Sequence, residues 1–312
     1  MSKLRPESNA YLEAFSQMPP IESMEPQAVR EMFSQAPPVE VELAPVANIE
    51  DKMIPVEDGE IAVRIYTPNG NGPFPLFVYY HGGGWVIGDL ETVDASCRMI
   101  ANMTNRVVVS VDYRLAPEFK YPIPFNDSYE ALKWVENNAD SLNAIASDIV
   151  VGGDSAGGNL SAAVSLRARD ENGPNISAQI LIYPVTDMSY RTSSYQQFEK
   201  GFGLDKSLME WFINHYIRDE ADKNDPYAAP LVAENLDDLP PALVITAEFD
   251  VLRDEGLAYA ERLKDAGVKV ETTLEKGLVH GYFTNMAVFP QQIKETISKI
   301  DQFISANVMK KV

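Results

Sequence analysis

Residues Val150–Leu160, VVGGDSAGGNL, place one serine among four glycines, where a β-branched run gives way to a helix-like run. The β-branched run favours a strand, and the following NLSAAVSLRARD has helical periodicity. Gly153, Ser155 and Gly157 thus form a Gly-x-Ser-x-Gly pattern between a predicted strand and a predicted helix. Such a turn needs small neighbours, and it lifts the serine hydroxyl above the strand end, beside the helix N-terminus. A phosphate-binding P-loop would need a Lys-Ser/Thr pair, which the stretch lacks.

A serine in this position becomes a nucleophile only with a base beside it. The chain contains three histidines. His81 opens the segment HGGGW, and His215 lies inside an apolar helical segment. His280 lies in EKGLVHGYF, a loop between the last predicted strand and the last predicted helix. In a sheet whose strands alternate with helices, such a loop lies over the carboxyl ends of the strands. We therefore predict that His280 is the base that accepts the Ser155 proton.

The base in turn needs an acid that holds its tautomer and stabilises its charged form. The candidates lie at the end of the preceding strand, in VITAEFDVLRDEG. Asp250 ends that strand and is the predicted acid, and Glu248 and Asp254 are the alternatives. The chain order Ser155, Asp250, His280 is the order of α/β-hydrolases and differs from that of the other two common triad classes.

A loop that binds a developing oxyanion is the remaining requirement of serine catalysis. HGGGW follows the apolar run PLFVYY, so its glycines can bring backbone N–H groups close to a substrate carbonyl oxygen. We predict Gly82 and Gly83 as two donors and Ala156, the residue after the serine, as the third. His81 is predicted to orient this loop.

Strand and helix patterns alternate outward from the serine, which predicts an α/β fold with a mostly parallel sheet covered on both faces. GEIAVRIYTP, after an Asp-Gly turn, predicts a hairpin. We expect three parts. Residues 46–186 and 239–312 form the α/β-hydrolase catalytic domain, residues 187–238 form a helical cap insertion, and residues 1–45 form an N-terminal helical arm that is part of the cap.

The cap segment is rich in aromatic residues. Phe202, Trp211 and Phe212, together with Trp85 beside the glycine loop, are the predicted substrate-binding residues of an apolar acyl or alcohol pocket. The alternative for each of them is plain packing in the core of the cap.

Charge and cysteine content narrow the classes of partner. The formal net charge is −20, which disfavours nucleic acid because no basic stripe offsets it. The sequence contains no run of eighteen apolar residues, so we expect no membrane-spanning helix. The N-terminal segment lacks the apolar core of a secretory signal, so we expect none. Cys97 is the single cysteine, which forbids an internal disulfide and predicts a cytoplasmic location.

Together these motifs resemble the hormone-sensitive-lipase family of α/β-hydrolase esterases, in its GDSAG branch. The matching segments are HGGG at 81–84, DYRLAPE at 112–118, GDSAGGNL at 153–160, DVLRDEG at 250–256 and HGY at 280–282. The resemblance implies an eight-stranded, mostly parallel sheet flanked by helices, with a helical cap. It implies carboxylesterase activity on short- and medium-chain acyl esters with no metal or other cofactor, and a homodimer. Asp112 and Arg114 are expected to brace the oxyanion loop.

Two other functions use the same scaffold. One is a non-catalytic receptor for a small ligand, but receptors that resemble this family lack the histidine that His280 supplies here. The other is a hydrolase of amides or lactones with the same triad, which the sequence does not separate from an esterase, because fold does not determine substrate.

Overall fold

The computed structural model describes residues 2–35 and 40–308, so residues 1 and 36–39 of the predicted arm lie outside it. The strands of the described part are β1 (Asn48–Val56), β2 (Gly59–Thr67), β3 (Phe74–Tyr80), β4 (Val107–Asp112), β5 (Ala144–Asp154), β6 (Ile176–Ile182), β7 (Ala242–Phe249) and β8 (Val270–Val279). They form one eight-stranded sheet in the order β1-β2-β4-β3-β5-β6-β7-β8.

The sheet is mixed but mostly parallel, as the sequence predicted. Strand β1 pairs antiparallel with β2, and β2 pairs antiparallel with β4. Every other pairing, from β4 through β3 to β8, is parallel. The hairpin closes at Val56, which pairs with Gly59, and Asp58 in its turn has a φ of 58°. The carboxyl ends of the parallel strands therefore share one edge of the sheet.

Helices cover both faces of this sheet. They are α1 (Pro6–Phe15), α2 (Pro26–Ser34), α3 (Asp94–Thr104), α4 (Ile123–Asn137), α5 (Ala156–Asp170), α6 (Ser193–Gln197), α7 (Lys206–Tyr216), α8 (Arg253–Asp265) and α9 (Pro290–Asn307). Helices α3 and α9 pack together against the sheet, and so do α4 and α5. Strand β7 is buried along its whole length, which explains why six of its eight residues are apolar and only Thr246 and Glu248 are polar.

Helix α7 connects the cap segment to the arm and to the glycine loop. Ser207 Oγ at its start donates to a Glu22 carboxylate oxygen of the arm at 2.9 Å. Further along, the Phe212 ring lies against Gly84. Asp205 occupies the residue before the helix, but its carboxylate accepts from the Gly201 N–H at 2.7 Å rather than from the helix itself. None of the helices within residues 2–35 and 40–308 is long and apolar enough to cross a membrane.

Candidate active site

Ser155 lies in a strained turn between β5 and α5. Its φ of 56° and ψ of −118° are unusual for a residue with a side chain. Neighbouring contacts hold this conformation, because the Ser155 N–H donates to the Ile182 carbonyl oxygen at 2.8 Å. Gly157 passes so close to Tyr80 that a Cβ there would clash with the Tyr80 carbonyl oxygen. The glycine pattern in the sequence is thus explained by close packing around a raised serine.

Three side chains meet at the carboxyl ends of the strands. The His280 Nε2 atom lies 2.9 Å from Ser155 Oγ, and its Nδ1 atom lies 2.7 Å from Asp250 Oδ2. Asp250 is buried, and its Oδ1 accepts from the Leu252 N–H at 2.9 Å, so its orientation is fixed. Such a chain of contacts can move the serine proton to the imidazole while the carboxylate stabilises the positive charge.

The two alternative acids make other contacts. Glu248 accepts hydrogen bonds from the backbone N–H groups of Ser2 and Gly277, at 2.8 and 2.9 Å. Asp254 accepts from the Ser194 N–H at 2.8 Å. Among the three acids considered, Asp250 is the one that contacts His280.

The other two histidines also lie in separate surroundings. His81 is fully buried, stacks on Tyr113 with 4.3 Å between ring centroids, and has its Nδ1 2.7 Å from the Gly82 carbonyl oxygen. Burial lowers the pKa of His81 to about 4, so the ring is neutral near pH 7. His215 is half-buried on α7, where its Nδ1 lies 2.8 Å from the Trp211 carbonyl oxygen.

The glycine loop differs from the prediction at one position. The Gly82 N–H donates to Asp154 Oδ1 at 3.0 Å, so it is not free to bind a substrate oxygen. In the described part of the chain, the N–H groups of Gly83 and Gly84 have no protein acceptor. The assignment of Gly82 as an oxyanion donor is therefore wrong, and Gly84 is the candidate that replaces it. Ala156 is the first residue of α5, and its N–H has no acceptor within that helix.

Comparison with known proteins identifies the family of this chain. The family model described as alpha/beta hydrolase fold matches residues 77–284. The chain belongs to the alpha/beta hydrolase family. This alpha/beta hydrolase is 46% identical to carboxylic ester hydrolase LipN of Mycobacterium tuberculosis, over 75% of this chain and 64% of that relative. It is 42% identical to an arylesterase of Saccharolobus solfataricus, over 76% of this chain and 78% of that relative.

A solved structure extends the comparison to the whole chain. A thermostable esterase from Pseudomonas putida ECU1011 superposes on this alpha/beta hydrolase with a TM-score of 0.93 at 35% identity, covering 100% of this chain and 99% of that one. These findings confirm the resemblance and the fold drawn from the sequence motifs.

The glycine loop of this alpha/beta hydrolase is braced by residues that the sequence did not single out. The Tyr113 hydroxyl donates to the His81 carbonyl oxygen at 2.8 Å. The expectation for Arg114 is not met, because its guanidinium donates instead to Asp127, a buried carboxylate, at 2.6 and 2.8 Å. Within DYRLAPE, the Ala116 N–H also donates to the Trp85 carbonyl oxygen at 2.9 Å, so Tyr113 and Ala116 hold the two ends of HGGGW.

The four predicted pocket residues occupy different surroundings. Trp85 is fully buried and stacks on Tyr216 with 4.1 Å between ring centroids, so it belongs to the core and its assignment to a pocket is wrong. Phe212 is buried against the glycine loop, and the half-buried Trp211 packs on it in a T-shaped arrangement with 5.2 Å between ring centroids. Phe202 is half-buried and stacks on Phe249, the residue before Asp250, with 5.7 Å between ring centroids.

One further aromatic ring flanks the candidate base. Tyr183, at the end of β6, is buried with its ring centroid 4.5 Å from that of His280. Its φ of 36° is positive, which is uncommon for a residue with a side chain, and the sequence carries no signal for it. Within residues 2–35 and 40–308, no three His, Cys, Asp or Glu side chains are grouped so that they could hold a metal ion.

Proposed function

We propose that this protein is a serine carboxylesterase that hydrolyses short- to medium-chain acyl esters. The proposal is carried by one observation at the carboxyl ends of the strands. His280 lies 2.9 Å from Ser155 Oγ and 2.7 Å from Asp250, so the three side chains form a continuous chain of contacts. Relatives that align over most of this chain are named carboxylic ester hydrolase and arylesterase.

In the proposed reaction, Ser155 Oγ attacks the ester carbonyl carbon while His280 accepts the serine proton. The N–H groups of Gly83, Gly84 and Ala156 bind the oxyanion, each contributing roughly 3 kcal/mol. His280 then donates its proton to the departing alcohol, which leaves an acyl group on Ser155. Water repeats the sequence on that acyl-enzyme and releases the carboxylic acid.

The preference for apolar acyl groups is supported by the aromatic cover of the site. Phe212 lies on the glycine loop and Phe202 lies beside the strand that carries Asp250. Rings in these positions suit an apolar acyl group, and the limit to modest chain length rests on the family resemblance.

The first experiment is steady-state hydrolysis of p-nitrophenyl esters from acetyl to palmitoyl, with wild type beside Ser155→Ala. We expect turnover on short esters, and a loss of about 10⁶-fold in kcat in the variant. A folded wild type that hydrolyses none of these esters would contradict the proposal. A wild type that instead hydrolyses a matched amide or lactone would favour that alternative.

We further propose a cytoplasmic location and a homodimer. Cys97 is buried and the chain holds no second cysteine, which suits a reducing compartment. The dimer rests on the family resemblance alone. Cell fractionation tests the location, and sedimentation equilibrium tests the dimer, which requires a mass twice that of one chain.

A further inference from the structure

Asp154 is a buried acid that the proposed reaction does not use. It ends β5, directly before Ser155, and is 4% exposed. Its Oδ1 accepts two hydrogen bonds, from the Tyr79 hydroxyl at 2.7 Å and from the Gly82 N–H at 3.0 Å. One carboxylate oxygen thus joins the serine turn, the third strand and the glycine loop.

The sheet brings these groups together. Strands β3 and β5 run parallel, with Tyr80 opposite Gly153, so both strands leave the sheet side by side. Asp154 is one residue beyond this pair, and Gly82 is two residues beyond it. A Cβ on Gly82 would clash with Asp154 Oδ2, so the first glycine of the loop is required by the carboxylate itself.

The direction of the Gly82 N–H determines where the next amides point. Because this N–H turns toward Asp154, the loop continues with the Gly83 and Gly84 N–H groups unpaired within the described residues. The Gly83 carbonyl oxygen then accepts from the Val86 and Ile87 N–H groups, at 3.1 and 3.0 Å, and closes the turn. Loss of the hydrogen bond between Gly82 and Asp154 would therefore displace the Gly83 and Gly84 N–H groups without removing either of them.

The contacts of Asp154 could serve the stability of the fold or the position of the glycine loop. A buried carboxyl group needs hydrogen-bond donors in any protein, so Tyr79 and Gly82 also satisfy a purely structural demand. Burial raises the pKa of Asp154, and the Tyr79 hydrogen bond opposes that rise. In either protonation state, Oδ1 can accept both hydrogen bonds, so anchoring does not depend on the charge.

We propose that Asp154 is a positioning residue that sets the distance between Ser155 and the oxyanion donors, by holding Gly82 from the same turn that carries the serine. The inference rests on the proposed function, because it assigns Gly83 and Gly84 to the oxyanion. Asp154 acts through Gly82 and does not touch the substrate. Displacements of about 1 Å in such a site lower turnover by about 10²-fold.

The test compares Asp154→Ala and Asp154→Asn with wild type. Asparagine keeps an acceptor oxygen at the same place, whereas alanine removes it. We expect Asp154→Ala to lower kcat on p-nitrophenyl butyrate by about 10²-fold with KM changed by less than about twofold, because the ground state needs no oxyanion. Asp154→Asn is expected to remain within about fivefold of wild-type kcat.

Asp148→Ala is the matched control. Asp148 lies on the same strand, six residues earlier and roughly 20 Å from Asp154, where it pairs with Arg106 at 2.9 Å. Its loss should lower the melting temperature and leave kcat unchanged. Two results would overturn the proposal: wild-type kcat in a folded Asp154→Ala, or equal loss of kcat in Asp154→Ala and Asp154→Asn.

A second readout separates this proposal from the proposed function. A fluorophosphonate forms a bond from its phosphorus to Ser155 Oγ with loss of fluoride, while His280 accepts the serine proton, and its phosphoryl oxygen uses the same donors without hydrolysis of a carboxylic ester. If wild type is labelled but hydrolyses no ester, the ester assignment fails while Asp154 is still tested. Labelling of Asp154→Ala slower by about 10²-fold supports the positioning role, and labelling at the wild-type rate overturns it.

Discussion

At the scale of single residues, Ser155 shows how the fold tolerates local strain. Its backbone conformation is unfavourable by about 1–3 kcal/mol, and it persists because packing around it allows no alternative. The Ile182 carbonyl oxygen accepts its N–H, and Gly157 admits the Tyr80 carbonyl oxygen beside it. The strain lifts the hydroxyl to where the imidazole can reach it.

Asp112, at the end of β4, gives a prediction about pH. Burial raises the pKa of this half-buried carboxyl group from 3.8 to about 6, and the charges of Asp89 and Asp51 add to the rise while Arg64 opposes it. The folded state therefore binds an extra proton between about pH 4 and 6, so this group lowers the free energy of unfolding as the pH rises through that range. Asp112→Asn should stabilise the protein at pH 7, by at most about 3 kcal/mol, and have no effect near pH 4.

Chemical denaturation at pH 4, 5, 6 and 7 measures this difference, and Asp51→Asn is the control of opposite sign. Its hydrogen bond with Arg64 lowers the pKa of Asp51, so that carboxylate stabilises the folded state above its unfolded pKa and loses the effect as the pH falls. An Asp112→Asn protein that is less stable than wild type at pH 7 would refute the expected sign.

At the scale of elements, the arm helix α2 supports the glycine loop through Arg30. The Arg30 guanidinium donates to the carbonyl oxygens of Val86 at 2.8 Å and Ala116 at 2.6 Å. It also forms two hydrogen bonds of 2.9 Å with the Glu118 carboxylate. One side chain of the arm thus joins the far end of the glycine loop to the DYRLAPE segment.

Arg30→Ala should destabilise the protein by about 1–3 kcal/mol, because the two carbonyl oxygens lose a charged donor. Arg30→Lys should restore part of the loss, since an ammonium lacks the planar fork that reaches all three partners. Thermal melts and kcat on a short ester measure both effects. Arg98→Ala is the control, because Arg98 is equally exposed, at 24% against 23%, and pairs with Asp94. Equal losses in Arg30→Ala and Arg98→Ala would show that support of the loop is not what Arg30 contributes.

The sequence predicted elements well where the pattern itself determines the structure. Unbroken apolar runs predicted buried parallel strands, and the glycines around Ser155 predicted the turn. What it did not predict were contacts between distant segments. That the Gly82 N–H is already bound depends on Asp154, 72 residues away. The position of Trp85 beside the glycines does not predict its burial, which goes with a φ of 61° and with stacking on Tyr216, a residue distant in sequence.

At the scale of the whole molecule, the net charge of −20 acts on substrates before they bind. A surface of this sign repels anionic esters over distances of about a Debye length, near 10 Å at 0.1 M salt. We expect kcat/KM for mono-p-nitrophenyl succinate to rise severalfold between 10 and 300 mM NaCl. The neutral p-nitrophenyl butyrate is the control and should not change. A salt response shared by both esters would indicate an effect on the enzyme rather than on encounter.

The parts of the site are far apart along the chain: the glycine loop follows β3, Ser155 follows β5, Asp250 follows β7 and His280 follows β8. The arm joins this same end, because the Arg5 N–H and the Ser8 hydroxyl both donate to the Gly277 carbonyl oxygen, at 3.0 and 2.8 Å. During synthesis on the ribosome, the arm emerges long before the strand that it binds. A nascent chain therefore has its serine in place without a base. Hydrolytic activity begins only when residues 270–280 have left the exit tunnel and β8 has been added to the edge of the sheet.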